Sequence, residues 1–447
     1  MSPRRSVSFA RAAAFEVLRN VDERRGEPAG LLADARYRSL LPADRDLAME
    51  IVFGVLRWRA SLDWVLKHHA RRSIEDLDLT IRLALRIGLY QIRFLDRVPA
   101  RAAVDESVRL AVAYGAARGK GLVNAVLRSA LRDPRAPPFP GKEDDPSGYL
   151  ATTLSCPRWL AERCLERLGI ERAEARCRAW NRPPPLHLRV SARLDREEAR
   201  ELFRSEGIET EILPEAPRGL LVRSGSLGAS SLARDGLVFP QDAGSQLVPL
   251  LLEVGKADPV LDVCAAPGGK ATALGEIANQ GTVFAIDRRR RRVQLLREIA
   301  SKLHAENVRA LVADGRRLPF ETPFPRILLD VPCSSLGTLR RNPDIKWRVQ
   351  EADLKSLAAL QLELLRSSSR LLAEGGRLVY ATCSTELEEN EVVVERFLSE
   401  SPGFRAGDAR SSLPEPARRL VGEDGYFRTT PEEDDMDGYF AAVIVRQ

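Results

Sequence analysis

Histidine, cysteine and methionine are scarce in this chain of 447 residues, which contains four, six and three of them respectively. The cysteines form no C-x-x-C pair, and the histidines match no spacing typical of metal ligands. We therefore expect neither a disulfide framework nor a metal site. The thiols should stay reduced in a large cytoplasmic chain, where they remain available as nucleophiles.

Long apolar runs are also missing. No run approaches the roughly 20 residues that a membrane-spanning helix needs, and the first segment, MSPRRSVSFARAAAFEVLRN, lacks the apolar centre of a signal peptide. We expect a cytoplasmic protein with no membrane partner. Hydrophobic residues make up 44% of the chain and charged residues 30%, which is typical of globular proteins. The length predicts two to four domains of about 100–200 residues each.

Positive charge is concentrated in the N-terminal third. Residues 1–135 contain 25 lysines and arginines against 16 acidic residues, a net charge of +9, whereas the whole chain carries +6. Such an excess favours a polyanionic partner such as RNA, because contacts with phosphates supply affinity that does not depend on base sequence. A composition rich in arginine, with 61 arginines and eight lysines, would give the same excess on solvated helix faces, so both explanations stay open.

Apolar spacing and turn-forming residues divide the first half of the chain into three parts. Residues 1–135 place apolar side chains three and four positions apart, notably from Asp44 to Lys67 and from Thr80 to Asp96, which predicts a helical bundle. Prolines and charged residues over 136–148 predict a linker. Residues 149–235 predict a small α+β module. Its expected elements are helices over 158–168 and 196–206 and strands over 186–190, 208–213 and 219–223.

Short apolar runs alternate with helical patterns throughout residues 236–447. This alternation predicts a parallel, doubly wound α/β sheet. The expected strands are 259–263, 282–286, 309–313, 326–331 and 377–381. The last apolar run, 439–447, is expected to close the sheet as an edge strand.

A glycine-containing loop follows the first of these strands, and a helix follows the loop. The loop consists of Cys264, Ala265, Ala266, Pro267, Gly268, Gly269 and Lys270. Small residues let the backbone approach a ligand, and the helix N-terminus attracts a carboxylate or phosphate. The loop matches neither G-x-G-x-x-G nor G-x-x-x-x-G-K-[ST], which makes a dinucleotide or a nucleoside triphosphate less expected.

Aspartates end four successive strands of the predicted sheet. They are Asp262, Asp287, Asp314 and Asp330. Asp287 lies where a carboxylate can accept the ribose hydroxyls of an adenosine cofactor, and Asp314 could reach the adenine amine. Five arginines, 288–292, follow Asp287; contact with RNA or a solvated helix end would explain them, and we favour the solvated end slightly.

Two cysteines, Cys333 and Cys383, also follow predicted strands. Polar, turn-forming residues surround both thiols, which argues against simple burial in a core. A thiolate that adds to carbon 6 of a pyrimidine makes carbon 5 nucleophilic, and a carboxyl group such as Asp330 assists the addition by hydrogen bonding to the ring nitrogen. Spacing alone does not tell which thiol attacks. The thiolate needs nearby positive charge, for which the candidates are Lys270, Arg340 and Arg341.

The other cysteines have a simpler interpretation. Cys156, Cys164 and Cys177 lie in or near the predicted module, outside the sheet. A cysteine in such a position most often behaves as a small buried hydrophobic residue. We expect these three to be structural.

At these residues the chain resembles the RNA cytosine-5 methyltransferases, most closely the RsmB type, also called Fmu or Sun. The motifs that carry the resemblance are FPQDAGSQL (239–247), DVCAAPGGKAT (262–272), ADGRRLP (313–319), DVPCSSLGTLRRNPDIKW (330–347) and YATCS (380–384). Residues 85–111 and 120–128 resemble the NusB-like RNA-binding domain that this type carries. The resemblance covers nearly the whole chain. It implies an all-α NusB-like bundle, a small α+β module and a Rossmann-like class I methyltransferase domain.

The resemblance also implies roles for the site residues. S-adenosyl-L-methionine (SAM) would be held by Cys264 to Lys270, Asp287, Asp314 and Asp330. Cys383 would be the nucleophile, Cys333 would assist its release, and Lys270 would orient the substrate and Asp330. The implied substrate is a cytidine of 16S ribosomal RNA, either free or in an assembly intermediate, and we expect a monomer.

Three alternatives are less well supported by the residues. The enzyme could modify tRNA or another RNA. A non-catalytic NusB-like RNA-binding or antitermination factor would fit the N-terminal helices but would leave the cofactor loop and both thiols unexplained. An NAD-dependent dehydrogenase would fit the sheet and Asp287 but lacks the glycine fingerprint.

Overall fold

The structure is a computed structural model that describes residues 7–38 and 40–447. It contains two compact units. Unit 1 comprises Met1–Arg182 and the short segment Asn342–Arg348, and unit 2 comprises Pro183–Arg341 and Val349–Gln447.

Unit 1 is built from helices. Its α-helices are Phe9–Asp22, Pro28–Leu32, Ala35–Arg38, Pro42–Arg57, Arg59–Ala70, Leu79–Phe94, Ala100–Ala113, Lys120–Arg132, Pro146–Gly148, Arg158–Trp180 and Ile345–Arg348, with a 3-10 turn at Ala117–Gly119 and a π turn at Tyr149–Thr153. The apolar stretch from Asp44 to Lys67 forms two helices, which meet at Trp58. The helix predicted over 158–168 extends to Trp180 across a kink at Gly169, whose φ of 69° suits glycine.

The apolar faces of these helices meet in one core. Phe15, Ile51, Leu62, Leu85 and Leu127 are almost completely buried there. The three- and four-residue spacing seen in the sequence puts such side chains on one face of each helix, and burying that face is the main source of stability for the bundle.

Unit 2 begins with a small antiparallel sheet. Its strands are β1 (Leu186–Val190), β2 (Glu209–Ile212), β3 (Gly219–Ser224) and β4 (Val238–Pro240), in the order β2-β3-β1-β4. Helix Arg196–Ser205 packs Ala199 and Phe203 against this sheet, and Asp195 caps its N-terminus by accepting from the amide of Glu197 at 2.8 Å. The predicted strands over 186–190, 208–213 and 219–223 and the helix over 196–206 are present here, whereas the helix predicted over 158–168 belongs to unit 1, and β4 lies beyond the expected boundary at 235.

The larger sheet of unit 2 is mostly parallel. Its strands are β5 (Val260–Val263), β6 (Val283–Asp287), β7 (Val308–Val312), β8 (Phe324–Asp330), β9 (Leu372–Thr382), β10 (Phe404–Gly407), β11 (Phe427–Thr429) and β12 (Tyr439–Arg446). Their order is β10-β12-β9-β8-β5-β6-β7, and β11 also pairs with β12. The predicted strands from 259 to 381 are all present.

The prediction for the last strand is wrong in one respect. Strand β12 is not at the edge of the sheet, because it lies between β9 and β10 and pairs antiparallel with both. Its residues Phe440 to Ile444 are nearly completely buried, as expected of an interior strand. The edge position belongs to β10, whose four residues had no recognisable alternation.

Helices cover both faces of the larger sheet. Helices Gly269–Ile277 and Arg290–Lys302 contribute Leu274 and Leu296 to one core, whereas Glu351–Ser369 and Glu391–Glu400 contribute Leu365 and Phe397 to the other. The further helices of unit 2 are Ser231–Arg234 and Ala243–Leu247, and its 3-10 turns are Leu227–Ala229, Val248–Leu252, Leu336–Thr338, Leu387–Glu389, Ala409–Ser412 and Glu415–Leu420. Along the described residues, none of the helices combines the length and apolar character needed to cross a bilayer.

Candidate active site

The two thiols predicted at strand ends lie side by side. Cys333 follows β8 and Cys383 follows β9, and these strands are parallel neighbours. Their sulfur atoms are 3.3 Å apart, which is hydrogen-bonding distance for sulfur. The Ser335 hydroxyl lies 3.4 Å from Cys383 Sγ and 4.0 Å from Cys333 Sγ. Both thiols are partly exposed, so a ligand at this edge of the sheet could reach them.

The two thiols have different proton affinities. Their mutual hydrogen bond, followed by burial, raises the pKa of Cys333 well above its usual value. The same bond lowers the pKa of Cys383, with further lowering from Ser335 and Lys270 that outweighs burial and the charge of Asp330. Cys383 is therefore the more acidic of the two thiols.

Lys270 and Asp330 form a partly buried ion pair near the thiols. Lys270 Nζ lies 2.8 Å from Asp330 Oδ2, and the ammonium also lies 5.2 Å from the centre of the Tyr439 ring. Burial disfavours the ammonium, but the charge of Asp330 outweighs this and raises the pKa of Lys270. The lysine is therefore charged and supplies the positive field that favours a Cys383 thiolate.

The cofactor loop and an unpartnered carboxylate lie at the same edge. Asp262 in β5 is completely buried, and neither of its oxygens has a hydrogen-bond partner among the described residues. Burial, followed by the charge of Asp330, raises the pKa of Asp262 well above its usual range. Gly268 has a φ of 115°, which favours glycine, and begins helix Gly269–Ile277. A buried acceptor beside an open helix N-terminus suits a ligand that carries an ammonium group and a carboxylate.

The outer aspartates are held by arginines. Asp287 is buried and accepts from the amide of Arg289 at 2.9 Å. Asp314 is bound by the guanidinium of Arg316 at 2.7 Å, and this bond lowers the pKa of Asp314 to about 2. Arg292 lies 3.4 Å from Asp287 and donates to the carbonyl of Ala266 in the cofactor loop. The arginine run thus contributes one side chain to the cofactor loop, while all five arginines are exposed.

Two of the predicted positive groups contact other residues. The Arg340 guanidinium donates to Asp435 at 2.5 Å, and that of Arg341 donates to Asp437 at 2.8 Å. Lys270 contributes to the lowered pKa of Cys383.

Several residues of the site were not recognised from the sequence. Gly337 donates its amide to the carbonyl of Cys383 at 2.9 Å, and a Cβ there would lie 2.0 Å from the carbonyl oxygen of Gly438. Arg189 of the small sheet donates to the carbonyl of Gly269 at 2.8 Å and so holds the start of the cofactor helix. Glu389 accepts hydrogen bonds from both cysteine loops. These contacts join residues from 5 to about 100 positions apart, for which the sequence offers no periodic signal.

Comparison with known proteins gives family matches for three parts of the chain. Residues 249–445 match the family model of the 16S rRNA methyltransferase RsmB/F, residues 8–132 match the NusB family, and residues 156–226 match the ferredoxin-like domain of RsmF/B-like methyltransferases. The chain is 36% identical to the probable ribosomal RNA small subunit methyltransferase B of Bacillus subtilis, over 91% of each chain. The chain belongs to the RsmB/F family of 16S rRNA methyltransferases.

Further likenesses agree with this family. The chain is 35% identical to the ribosomal RNA small subunit methyltransferase B of Pseudomonas syringae pv. tomato, over 90% of this chain and 89% of that protein. The crystal structure of the protein PH0851 has a TM-score of 0.82 and 26% identity, over 97% of this chain and 98% of that one. The fold class expected from the resemblance, a NusB-like bundle, an α+β module and a Rossmann-like methyltransferase domain, is confirmed.

Proposed function

We propose that this RsmB/F family protein is a SAM-dependent cytosine-5 methyltransferase, which acts on a cytidine of 16S rRNA through a covalent bond to Cys383. The observation that carries the proposal is the pair of sulfur atoms 3.3 Å apart, beside the ion pair of Lys270 and Asp330. Attack on carbon 6 of a pyrimidine requires a thiolate together with a proton source for the ring. Cys383 would supply the thiolate, and Lys270 with Asp330 would supply the proton.

Cys383 is the nucleophile of the proposed reaction. Its lowered pKa increases the thiolate fraction, and Lys270 stabilises the negative charge. As Cys383 Sγ bonds to carbon 6, ring nitrogen 3 gains electron density. Asp330 would contact this nitrogen, and the proton comes from the ammonium of Lys270, which lies 2.8 Å from the carboxylate. Carbon 5 then becomes an enamine carbon that can accept a methyl group.

Cys333 assists the departure of Cys383. Once a base has removed the proton from carbon 5, the bond from carbon 6 to Cys383 Sγ breaks, the sulfur leaves as a thiolate, and the proton on ring nitrogen 3 returns to the pair of Asp330 and Lys270. Cys333 remains protonated because its pKa is raised, so it can donate a hydrogen bond to the departing sulfur. A thiolate that accepts a hydrogen bond is a better leaving group.

The cofactor loop and its surroundings fit SAM. The unpartnered carboxylate of Asp262 suits an ammonium group, the helix that begins at Gly269 suits a carboxylate, and Asp287 suits ribose hydroxyls. When bound, SAM supplies a methyl group activated by its sulfonium. The loop from Cys264 to Lys270 would hold it near the thiols, because the loop follows β5 and the thiols follow β8 and β9, which are three consecutive strands of the sheet.

The features of unit 1 favour RNA as the binding partner. Unit 1 includes the NusB family match, and residues 1–135 carry a net charge of +9. A target base must leave its stack to reach the thiols, which costs a few kcal/mol. Phosphate contacts by a basic region would offset that cost.

The proposal is tested by methyl transfer from radiolabelled SAM to unmodified 16S rRNA. Wild type should label 5-methylcytidine, identified after digestion to nucleosides. Cys383→Ala should show no transfer and no adduct, whereas Cys333→Ala should accumulate a protein–RNA adduct that survives a denaturing gel. Cys156→Ala, which removes a buried thiol of unit 1, serves as the matched control and should behave as wild type.

Two results would contradict the roles assigned to the thiols, and a third would contradict the proposed chemistry. Normal methylation by Cys383→Ala would exclude this thiol as the nucleophile. Loss of adduct formation in Cys333→Ala alone would exchange the two roles. Label found in a nucleoside other than 5-methylcytidine would refute the cytosine-5 chemistry while leaving the family membership intact.

A further inference from the structure

A completely buried carboxylate, Glu389, lies between the two loops that carry the thiols. It ends the 3-10 turn Leu387–Glu389. Its Oε1 accepts from the amide of Ser334 at 2.8 Å, and its Oε2 accepts from the hydroxyls of Ser334 and Ser384, each at 2.5 Å. Ser334 directly follows Cys333, and Ser384 directly follows Cys383. One carboxylate therefore binds the neighbours of both thiols.

Surrounding groups hold this carboxylate in place. The Gln361 amide donates to Glu389 Oε1 at 2.9 Å and to the carbonyl of Pro332 at 3.0 Å, so it binds the residue before Cys333 as well. The Tyr380 hydroxyl donates to the backbone carbonyl of Glu389 at 2.5 Å. With four hydrogen bonds, Glu389 uses the full accepting capacity of a carboxylate.

Asn390 holds the second loop from its other side. Its Oδ1 accepts from the Thr382 hydroxyl at 2.6 Å, and its Nδ2 donates to the carbonyl of Ser384 at 3.0 Å. Thr382 and Ser384 flank Cys383. Each thiol-bearing loop is thus hydrogen-bonded on both sides of its cysteine by residues 361, 389 and 390.

The burial of this carboxylate has an energetic cost. The four groups that bond to the Glu389 carboxylate are all neutral. A buried charge without a counterion costs several kcal/mol unless hydrogen bonds compensate for it, and an apolar side chain of similar volume is often as stable. Stability alone is therefore a poor explanation for a carboxylate at this position.

We propose that Glu389 is a positioning residue that clasps the two thiol loops and holds Cys333 Sγ within hydrogen-bonding distance of Cys383 Sγ. This inference rests on the proposed function. In that function, the distance between the two sulfurs decides whether Cys333 can donate a hydrogen bond to Cys383 before attack and during release. Glu389 touches neither sulfur and acts through Ser334 and Ser384. Its negative charge also contributes, after the bond to Cys383 and burial, to the raised pKa of Cys333.

The separation of the thiols can be measured without RNA or SAM. Phenylarsine oxide bonds to two thiols at once when they lie close together; two As–S bonds form, the oxide oxygen leaves as water with both thiol protons, and no oxidation state changes. The arsenical retained by the thiol pair is obtained by subtraction: the amount bound by each protein minus the amount bound by the same protein with Cys333→Ala. This substitution keeps the three cysteines of unit 1. Wild type should retain the arsenical strongly.

Glu389→Ala should reduce this retention at least tenfold, because both loops lose their shared acceptor. Glu389→Gln should stay within about threefold of wild type, because its amide keeps one acceptor for the Ser334 amide and Gln361 and can donate to both hydroxyls. Glu391→Gln is the matched control: it removes a neighbouring carboxylate that pairs with Arg428 at 2.7 Å, and it should match wild type.

Two outcomes would overturn the clasp. One is retention by Glu389→Ala equal to that of wild type, and the other is failure of Glu389→Gln to restore what Glu389→Ala loses. If Glu389→Ala does not fold, Glu389→Asp replaces it; this variant keeps the charge but is one methylene shorter, and retention equal to wild type would again refute the proposal.

A second readout separates positioning from general destabilisation. The rate at which iodoacetamide labels Cys333 is followed by peptide mass spectrometry over a pH series. The midpoint of the rate–pH curve should shift to lower pH in Glu389→Gln and stay unchanged in Glu391→Gln. An unchanged profile in Glu389→Gln would contradict the contribution of Glu389 to the proton affinity of Cys333. The proposed function fails separately, namely if wild type with an intact thiol pair transfers no methyl group to cytidine.

Discussion

Two lysines with little solvent exposure lie near thiols in this protein, one in each unit, and their surroundings shift the pKa of the two amines in opposite directions. Lys270 of unit 2 pairs with Asp330 at 2.8 Å, and this carboxylate raises the pKa of the lysine despite burial. Lys346 of unit 1 donates to Asn181 Oδ1 at 2.7 Å and to the carbonyl of Ser155 at 3.4 Å. With neutral acceptors, burial dominates and lowers the pKa of Lys346 to about 8.

The thiols near the two lysines also have pKa values that are shifted in opposite directions. Cys383, near Lys270, has a lowered pKa and a partly exposed position. Cys156, near Lys346, is buried, and burial raises its pKa well above the usual value. A lysine close to a thiol therefore does not by itself activate it. Activation here also needs a carboxylate that keeps the lysine charged and a second thiol that donates a hydrogen bond.

The largest effect that would test this comparison is on methyl transfer. Lys270→Met should lower the transfer rate about a thousandfold, because it removes the proton source for Asp330 and the positive charge beside Cys383. Lys346→Met should stay within about threefold of wild type, because Lys346 contacts neutral groups of unit 1. Initial rates with saturating SAM and RNA measure both. Comparable losses in the two variants, with both proteins folded, would show that the two lysines are not functionally different.

The sequence predicted the parts of this site that depend on strand ends. Parallel strands end at the same edge of a sheet, so the positions of Cys333, Cys383 and Asp330 in the chain were enough to place them together. The covering helices and the order of the larger elements followed from apolar spacing. These features depend on local patterns, which a single sequence contains.

Contacts between distant residues were not predicted. The clasp by Glu389 depends on the side-chain conformations of serines that lie 55 and 5 residues away. Lys346 belongs to a motif that follows Cys333 in the chain, yet its segment packs within unit 1. Strand β12 was expected at the edge, whereas in the structure β10 pairs with its far side. Such contacts arise from three-dimensional packing, which periodicity does not encode.

Stability should respond to pH through Lys346. Its pKa is near 10.5 in the unfolded chain and about 8 in the folded one, so between these values the unfolded chain binds more protons. The free energy of unfolding of wild type should therefore rise by about 2 kcal/mol between pH 7 and pH 9.5 from this residue. Lys346→Met should lack that rise, and urea unfolding at both pH values gives the difference. Parallel curves for the two proteins would mean that the amine is not held in a neutral environment.

The two groups of thiols should also differ in reactivity. At pH 7.5, iodoacetamide should label Cys383 at least tenfold faster than Cys156, because Cys383 has the larger thiolate fraction and the more exposed position. Peptide mass spectrometry over a time course measures each rate. In Lys270→Met, the labelling of Cys383 should slow at constant pH. Equal rates for Cys383 and Cys156 in wild type would remove the distinction between a reactive and a structural group.

The smallest expected effect concerns the structural thiols alone. Cys156 is 1% exposed, and Cys156→Ala removes one buried sulfur from the core of unit 1. The free energy of unfolding should fall by about 1 kcal/mol, since the loss is one small side-chain atom in a packed interior. Methyl transfer should change less than twofold. A loss of activity without a loss of stability would place Cys156 in the reaction. The lysine–thiol group of unit 1 could then no longer be described as structural in contrast to a catalytic group in unit 2.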